Sequence, residues 1–285
     1  MTASGVDLAQ IRSWVGRTET RTDRVTAVPM AAMSATLDRD DAEPAKGTAV
    51  PPLWHWLYFL PISPLAEAGP DGHPKRGGFL PPVPLPRRMF AGGRLEFLQP
   101  VNIGEEIRRV SRITDVSGKE GRSGTLVFVT VRHEISSAAG LAMTEEHDIV
   151  YRENPRADAP MPKPQAARTD EAFSREIAPD PVMLFRYSAL TFNSHRIHYD
   201  RSYVTEVEEY PGLIVHGPLI ATLLADLLRR NFPQAVVRNF SFRASRPLFD
   251  IHRFTVCGRA DGNSVTLWTR DHEGWLTMEA SAEIA

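Results

Sequence analysis

Apolar residues beyond position 217 recur three and four positions apart, and this spacing predicts an amphipathic helix from Gly217 to Arg230. The apolar stripe of that helix comprises Leu219, Ile220, Leu223, Leu224, Leu227 and Leu228. Gly217 and Pro218 stand at its start, where proline removes no hydrogen bond because the first amides of a helix have no partner within it. The apolar run PVMLFRYSALTF before it, residues 181–192, is predicted to be a strand.

The first half of the chain has a β-rich pattern over residues 89–151, where apolar runs are separated by glycine-bearing turns. Four consecutive strands are predicted there, and hence an antiparallel sheet. Upstream, the pattern predicts a helix over residues 6–15, a short strand over 24–34 and a proline-rich region over 44–87. The aromatic cluster at 53–59 is more typical of a core than of a ligand cradle.

A second set of strand-like runs follows the helix, so the order of elements repeats along the chain. Pro100 and Ile107 in the first half are matched by Pro247 and Phe254, also seven positions apart, in the second. Between the halves, residues 153–170 are rich in proline, alanine and charge without an apolar period, which is typical of a linker. The repetition predicts an internal duplication.

Candidate chemistry lies just before the predicted helix, where Asn193 and His198 are five positions apart and His216–Gly217 follow. An imidazole with an ordinary pKa of ~6.5 can carry a proton near neutral pH. The free amides at the positive end of the helix dipole suit an oxygen that gains negative charge. Plainer interpretations stay open: His198 as a turn cap, Asn193 as a turn residue and His216–Gly217 as a simple helix start.

Two other motifs are weaker. His195, His198 and Asp200 could be taken for a metal cluster, but no third soft ligand follows at a usual spacing, so no metal site is predicted. Gly92–Gly93 is too short for a phosphate-binding loop.

The Asn193 to His198 pair followed by HGPL resembles the active-site signature of hot-dog (R)-specific enoyl-thioester hydratases and dehydratases of the MaoC type. In that signature an Asp, and a His five residues on, precede a central helix that begins with HG. The stretch ALTFNSHRIHYD is similar to the hydroxyacyl-thioester dehydratase type 2 branch, which includes mesaconyl-C4-CoA and itaconyl-CoA hydratases. Asn193 departs from the wider pattern, since an amide cannot accept a proton; the narrower branch shares it, which implies a changed role.

This resemblance implies an α+β double hot-dog fold, in which two antiparallel sheets, each wrapping a helix, are joined side by side. Three parts are predicted: a degenerate N-terminal unit over 1–152, a linker over 153–170 and a catalytic unit over 171–285. Setting TLDRDDAE against TFNSHRIH places Asp38 opposite Asn193 and Glu43 opposite His198. One working site per chain is therefore expected.

The activity implied is reversible addition of water across the α,β double bond of a CoA thioester. His198 would carry the proton, Asn193 would hold the water, and the helix start at His216–Gly217 would bind the substrate and stabilise the enolate oxygen. No metal or redox cofactor is implied, and coenzyme A enters as part of the substrate. Alternatives are a 3-hydroxyacyl-ACP or -CoA dehydratase of fatty-acid metabolism, a hot-dog thioesterase and a non-catalytic acyl-thioester binder.

The narrower branch implies a branched C5-dicarboxylyl group, as in itaconate degradation, and its free carboxylate needs a cation. Arg87, Arg88 and Arg246 are candidates for that carboxylate or for the CoA phosphates.

Composition limits partners and compartment. The net charge of -2 and pI near 6.5 indicate no attraction to nucleic acid or to an anionic membrane. The single Cys257 excludes an intramolecular disulfide and favours a reducing compartment. No run resembles a signal peptide or the ~20 apolar residues of a membrane span, so a cytoplasmic protein is expected. A homo-oligomer is compatible with the sequence.

Overall fold

The two halves of the chain contribute neighbouring strands to one antiparallel sheet in the computed structural model, which describes residues 6–121, 124–154 and 163–285. The first half supplies β1 (Thr18–Arg24), β2 (Arg87–Phe97), β3 (Glu106–Gly121), β4 (Gly124–Ser137) and β5 (Gly140–Arg152). The second half supplies β6 (Phe173–Ile177), β7 (Val237–Ala244), β8 (Phe254–Asp261), β9 (Ser264–Arg270) and β10 (Leu276–Ile284).

The strand order repeats, as the duplication predicts. It runs β1-β3-β4-β5-β2 through the first half and continues β7-β10-β9-β8-β6 through the second, so the equivalent strands β2 and β7 meet at the centre. They pair antiparallel from Gly92 opposite Arg243 to Glu96 opposite Asn239. The side-by-side sheets of the expected double hot-dog are therefore present.

Four α-helices accompany the sheet in the described residues: α1 (Leu8–Arg12), α2 (Ala27–Thr36), α3 (Pro181–Thr191) and α4 (Gly217–Asn231). The predicted helix from Gly217 is confirmed as α4, and its whole apolar stripe is buried. It packs against β8, β9 and β10, so the second sheet wraps a long helix. No helix among the described residues is long and apolar enough to cross a membrane.

Two predicted strands are wrong. Residues 181–192 form α3 because Asp180 caps it, accepting a hydrogen bond from the Met183 amide at 2.8 Å, and Pro181 occupies the first turn. The strand over 24–34 is replaced by the end of β1 and by α2, whose alanines and methionines favour a helix. The helix over 6–15 is present in the shorter form of α1.

The first half has no counterpart of α4. Residues 37–86, all of which the structure describes, form no α-helix and contain the 3₁₀ turn Trp54–Leu57. The aromatic cluster around this turn is buried, as its composition indicated. Trp56 packs edge-on against Phe90 of β2 and Phe242 of β7, which ties the cluster to the central strands.

The structure describes part of the predicted linker. Residues 155–162 lie outside the described residues, so the boundaries of the two units remain a prediction. Near its end, Gln165 accepts a hydrogen bond from the Leu276 amide at 2.8 Å, and the Ala167 amide donates to Gly274 at 3.0 Å. This end of the segment therefore packs along the second half.

Candidate active site

Asn193 lies in the loop that leaves α3. The helix ends at Phe192 in the left-handed conformation (φ 50°), and the Asn193 amide then donates to Ser188 at 2.8 Å. The side-chain Oδ1 of Asn193 accepts a hydrogen bond from the His195 amide at 3.0 Å. Asn193 thus has the turn role that asparagine often takes, and the second lone pair of Oδ1 remains for another donor.

His198 ends a 3₁₀ turn, Arg196–His198, and is buried with 7% of its surface exposed. Its Nδ1 lies 2.7 Å from the carbonyl oxygen of Ile214. Because a carbonyl can only accept, Nδ1 carries the proton and the Nε2 of the neutral ring has a free lone pair. Burial lowers the pKa of His198 to about 4, so the ring is neutral at physiological pH and its Nε2 is unprotonated.

His216 immediately precedes α4 and is fully buried. Its ring stacks on that of His198 with centroids 3.6 Å apart and planes 20° apart, and its Nε2 lies 2.8 Å from the Ser188 hydroxyl. Burial lowers its pKa well below the usual value. His216 is therefore a neutral platform under His198, and its predicted contact with substrate stays a prediction.

Gly217 begins α4 beside this platform. Its amide is among the first of the helix, which have no acceptor within it and point outward at the positive end of the dipole. A Cβ at Gly217 would lie 3.7 Å from Phe90, whose ring in turn contacts His147 at 3.8 Å between centroids. Side chains of the first half thus form a wall next to the helix start.

A loop of the first half also reaches the motif. The Arg196 amide donates to the carbonyl of Asp71 at 2.9 Å, and the Ser194 hydroxyl donates to that of Gly72 at 2.5 Å. The ring of His73 lies 4.0 Å from that of His195, and the His195 ring is nearly perpendicular to that of His198 at 5.4 Å.

The charge states of the cluster formed by Asp71, His73 and His195 follow from burial and from the Asp71 carboxylate. Asp71 Oδ2 lies 3.0 Å from His73 Nδ1, and Oδ1 accepts from the His73 amide at 3.0 Å. Burial alone would raise the pKa of Asp71, but its bonds to His73 outweigh that and hold it well below the usual range. Burial lowers the pKa of His73 and, together with the neighbouring imidazoles, that of His195. At neutral pH the cluster holds one anion and neutral rings.

Asp71, His73 and His195 bring three potential metal-ligand atoms within 4.8 Å of one another. The structure therefore groups His195 with these residues rather than with Asp200, whose carboxylate bonds Arg196 at 2.8 Å. Each oxygen of Asp71 accepts one hydrogen bond from His73, so the carboxylate orients this imidazole.

The three candidate arginines lie in different surroundings. Arg87 is bonded to the Tyr210 hydroxyl at 2.6 Å and to the Glu208 carbonyl at 3.0 Å, and it pairs with the Glu208 carboxylate. Arg246 lines a pocket with Pro247, Phe249 and His252, whose walls include none of the motif side chains. Arg88 is half-buried and close enough to His73 and His195 to lower the pKa of both.

Within the described residues Arg88 makes no ion pair. It lies opposite Tyr151 of β5 in the sheet, and its charge partly offsets the rise that burial causes in the pKa of that hydroxyl. Of the three arginines, it is the one whose charge acts on His73 and His195.

The first-half positions that correspond to the motif, Asp38 and Glu43, lie near the other end of α4. Asp38 and Glu43 are exposed, and next to them an ion-pair network occupies the end of α4. Buried Asp226 pairs there with Arg39 at 2.5 Å and with Arg230 at 2.7 Å. The expected single working site per chain remains a prediction that this network supports.

Sequence patterns alone did not identify Asp71 and His73. They lie about 120 positions before the motif, in a glycine-rich and proline-rich stretch without an apolar period. Locally, the stretch GPDGH at residues 69–73 predicts only a turn. Nothing in it indicates that this turn contacts the distant loop that carries Asn193.

Comparisons with known proteins point to one family. The family model of hydroxyacyl-thioester dehydratase type 2 matches residues 53–250. Mesaconyl-C(4)-CoA hydratase of Chloroflexus aurantiacus is 46% identical over 273 residues, covering 95% of this chain and 97% of that protein.

Two solved structures share the architecture. A MaoC-like dehydratase matches with a TM-score of 0.70 at 14% identity, over 98% of this chain and 99% of its own. A conserved Mycobacterium tuberculosis protein described as a double hotdog fold matches with a TM-score of 0.60 at 11% identity, over 100% of both chains. These structural matches confirm the double hot-dog fold. The family model and the 46% identical relative also identify the family. The chain belongs to the hydroxyacyl-thioester dehydratase type 2 family and is a hydro-lyase.

Proposed function

We propose that the enzyme reversibly adds water to the carbon–carbon double bond of a CoA thioester with a branched C5-dicarboxylyl group. The substrate is mesaconyl-C4-CoA, whose double bond is α,β to the thioester, or its isomer itaconyl-CoA, whose double bond is β,γ. The observation that carries the reaction type is the state of His198. Its Nδ1–H is fixed on Ile214, so its Nε2 carries a free lone pair, and its ring stacks on His216, the residue just before the free amides of α4. A base next to oxyanion donors is what hydration of an enoyl thioester needs.

With mesaconyl-C4-CoA, whose double bond is conjugated with the thioester, the residues divide the reaction as follows. As the water oxygen bonds to the β-carbon, its O–H bond breaks and the proton passes to Nε2 of His198. The electron pair of the double bond moves through the α-carbon to the thioester oxygen, where the Gly217 amide stabilises the enolate. The imidazolium then returns the proton to the α-carbon. Asn193 helps to hold the water through the free lone pair of Oδ1.

No oxidation state changes in this sequence and no further electrophile is required, so we propose a reaction without a metal or redox cofactor. The buried setting of His198 helps in the second step. A pKa of about 4 makes the imidazolium a strong acid, which returns its proton readily.

The acyl group follows from the relative and from Arg88. The 46% identical protein is named for mesaconyl-C4-CoA, in which the free carboxylate sits on the β-carbon that water attacks. A cation that binds this carboxylate must therefore act near His198. The charge of Arg88 acts on His195, whose ring neighbours that of His198, whereas Arg87 is bonded to Glu208 and Arg246 lines another pocket. We propose Arg88 as the carboxylate receptor.

Loss of the enoyl absorbance with mesaconyl-C4-CoA, itaconyl-CoA and crotonyl-CoA, followed in parallel with free thiol, tests this function. The expected result is fastest hydration of a dicarboxylyl thioester without thiol release. Thiol release would instead indicate a thioesterase, faster turnover of long unbranched enoyl thioesters would indicate fatty-acid metabolism, and tight binding without turnover would indicate a binding protein. We place the enzyme in the cytoplasm, in the breakdown of itaconate-type C5 acids.

A further inference from the structure

A continuous row of side chains connects the first half of the molecule to the motif of the second. It begins at Asp71, bonded to His73, passes from the His73 ring to that of His195 at 4.0 Å, and reaches His198 at 5.4 Å. His216 closes the row under His198 at 3.6 Å. Nothing in the motif itself accounts for the first two members.

The motif lacks a negative charge to balance a protonated His198. When His198 takes a proton from water it becomes positively charged in a buried site, where an unbalanced charge is costly. The wider signature has a carboxylate at the position of Asn193, which can balance that charge. Asn193 is neutral, and the nearby Asp200 is bonded to Arg196 and to the Tyr203 amide. The negative charge has to come from another element.

We propose that Asp71 and His73 are positioning residues of the catalytic site, which hold His195 against His198 and supply to the motif the negative charge that Asn193 lacks. This deepens the proposed function, on which it rests. In hydrolases that use the same device, a carboxylate bonded to imidazole Nδ1 fixes the tautomer and stabilises the imidazolium. Here the carboxylate acts through two rings rather than one.

The loop is held in place independently of the Asp71 side chain. Backbone carbonyls of Asp71 and Gly72 accept the bonds from Arg196 and Ser194. Gly72 has φ +89°, and a Cβ there would lie 1.9 Å from the carbonyl oxygen of Ser194, so the two loops touch at main-chain distance. Changing the Asp71 carboxylate therefore removes the charge without undocking the loop.

Two other roles for the pair fit less well. A metal ion would take three ligand atoms from Asp71, His73 and His195, and the Asp71 carboxylate already makes two hydrogen bonds to His73. A receptor for a substrate carboxylate would have an ionised Asp71 at its centre, which repels that carboxylate, and Arg88 nearby offers the opposite charge.

The test begins with Asp71→Asn, which keeps the shape and the bond to the His73 amide, and with His73→Phe, which keeps the ring but not the Nδ1–H. Both should lower kcat about 10- to 100-fold while changing KM less than about threefold, on mesaconyl-C4-CoA and crotonyl-CoA alike. Asp170→Asn is the matched control, since Asp170 is an exposed carboxylate paired with Arg168; it should behave as wild type.

The decisive variant adds Asn193→Asp to Asp71→Asn. If Asp71 supplies the missing charge, restoring a carboxylate in the motif should recover at least tenfold of the lost kcat, whereas a purely structural role for the loop gives no rescue. Absence of rescue, or wild-type kcat in Asp71→Asn, overturns the proposal. So does loss of wild-type activity on dialysis against EDTA with recovery on adding Zn²⁺, which would make the cluster a metal site.

Ring ¹⁵N chemical shifts of His195 and His198 provide a readout that needs no turnover. Asp71→Asn should shift both, and unchanged shifts contradict the coupling. If the wild-type enzyme hydrates no enoyl thioester, the proposed function fails. The ¹⁵N shifts still decide whether Asp71 and His73 act on His195 and His198.

Discussion

His198 is the residue on which the proposed chemistry depends most directly. His198→Gln keeps a donor for the Ile214 carbonyl but has no basic nitrogen, and His198→Ala removes both. Each should lower kcat by about 10²–10⁴, the usual contribution of a general base. Rates with the preferred enoyl-CoA, together with melting temperatures, check this. Wild-type turnover in a variant of unchanged stability would move the base to His195.

Asn193 has a role that its substitutions can separate. Asn193→Asp keeps an oxygen for the His195 amide and restores the pair of the wider signature, so it should retain activity. Asn193→Ala loses both the turn contact and the water contact and should lose most activity. Steady-state rates of the two variants, measured side by side, check this order; the reverse order would show that the amide hydrogens of Asn193 are needed.

Arg88 tests the choice of acyl group. Arg88→Met should lower kcat/KM for mesaconyl-C4-CoA relative to crotonyl-CoA by about one to two decades, the ~1.5–3 kcal/mol of a charge-assisted contact. Arg87→Met is the matched control, because Arg87 is already paired with Glu208 and should leave the ratio unchanged. Equal losses on both substrates in Arg88→Met would assign it to the CoA phosphates.

Among the elements, α4 has separate tasks at its two ends. Gly217 starts it at the site, and Asp226, nine residues on and ~14 Å along the axis, is 1% exposed among arginines. Asp226→Ala removes the buried partner of Arg39, Arg175 and Arg230, which are partly exposed, and Arg39 keeps its pair with Asp41. It should reduce the free energy of unfolding by about 1–3 kcal/mol. Urea denaturation measures this. Below the unfolding transition kcat should stay near wild type, and a large loss of kcat would mean that the network also shapes the site.

An element could be predicted from the sequence where the residues that determine it lie within the element itself. The leucine spacing of α4 and the alternation of β4, where every second residue is buried, fix those elements from the sequence. The apolar residues of α3 are compatible with either a helix or a strand. The Asp180-Pro181 pair at its start is the signal that distinguishes the two. Within the site, Asn193 and His198 were visible as a motif. Asp71 was not, because its role comes from a tertiary contact.

At the scale of the whole molecule, buried neutral histidines should make the fold sensitive to acid. Burial lowers the pKa of His133 to about 3 and those of His147 and His198 to about 4. Between these values and the ordinary ~6.5 the unfolded chain binds more protons than the folded one. Stability should therefore be full above pH 7 and fall as the pH drops below 6.5, by up to ~1.4 kcal/mol per pH unit for each such histidine.

Urea midpoints measured at pH 8, 6.5 and 5.5 check this expectation. The midpoint should change little between the first two values and fall clearly at the third. A flat profile down to pH 5 would show that these rings are protonated in the folded protein.

The central pairing of β2 with β7 joins two units that elsewhere could exist as separate subunits. In a symmetric pair of identical subunits, every side chain occurs twice, so a residue suited to one site is also imposed on its twin. Covalent fusion removes that constraint. One unit can keep the long helix and the histidine motif, while the other gives up its helix and extends a loop with Asp71 toward its neighbour. The molecule is a pair of unequal units, and in the proposed mechanism this asymmetry allows both to serve one site.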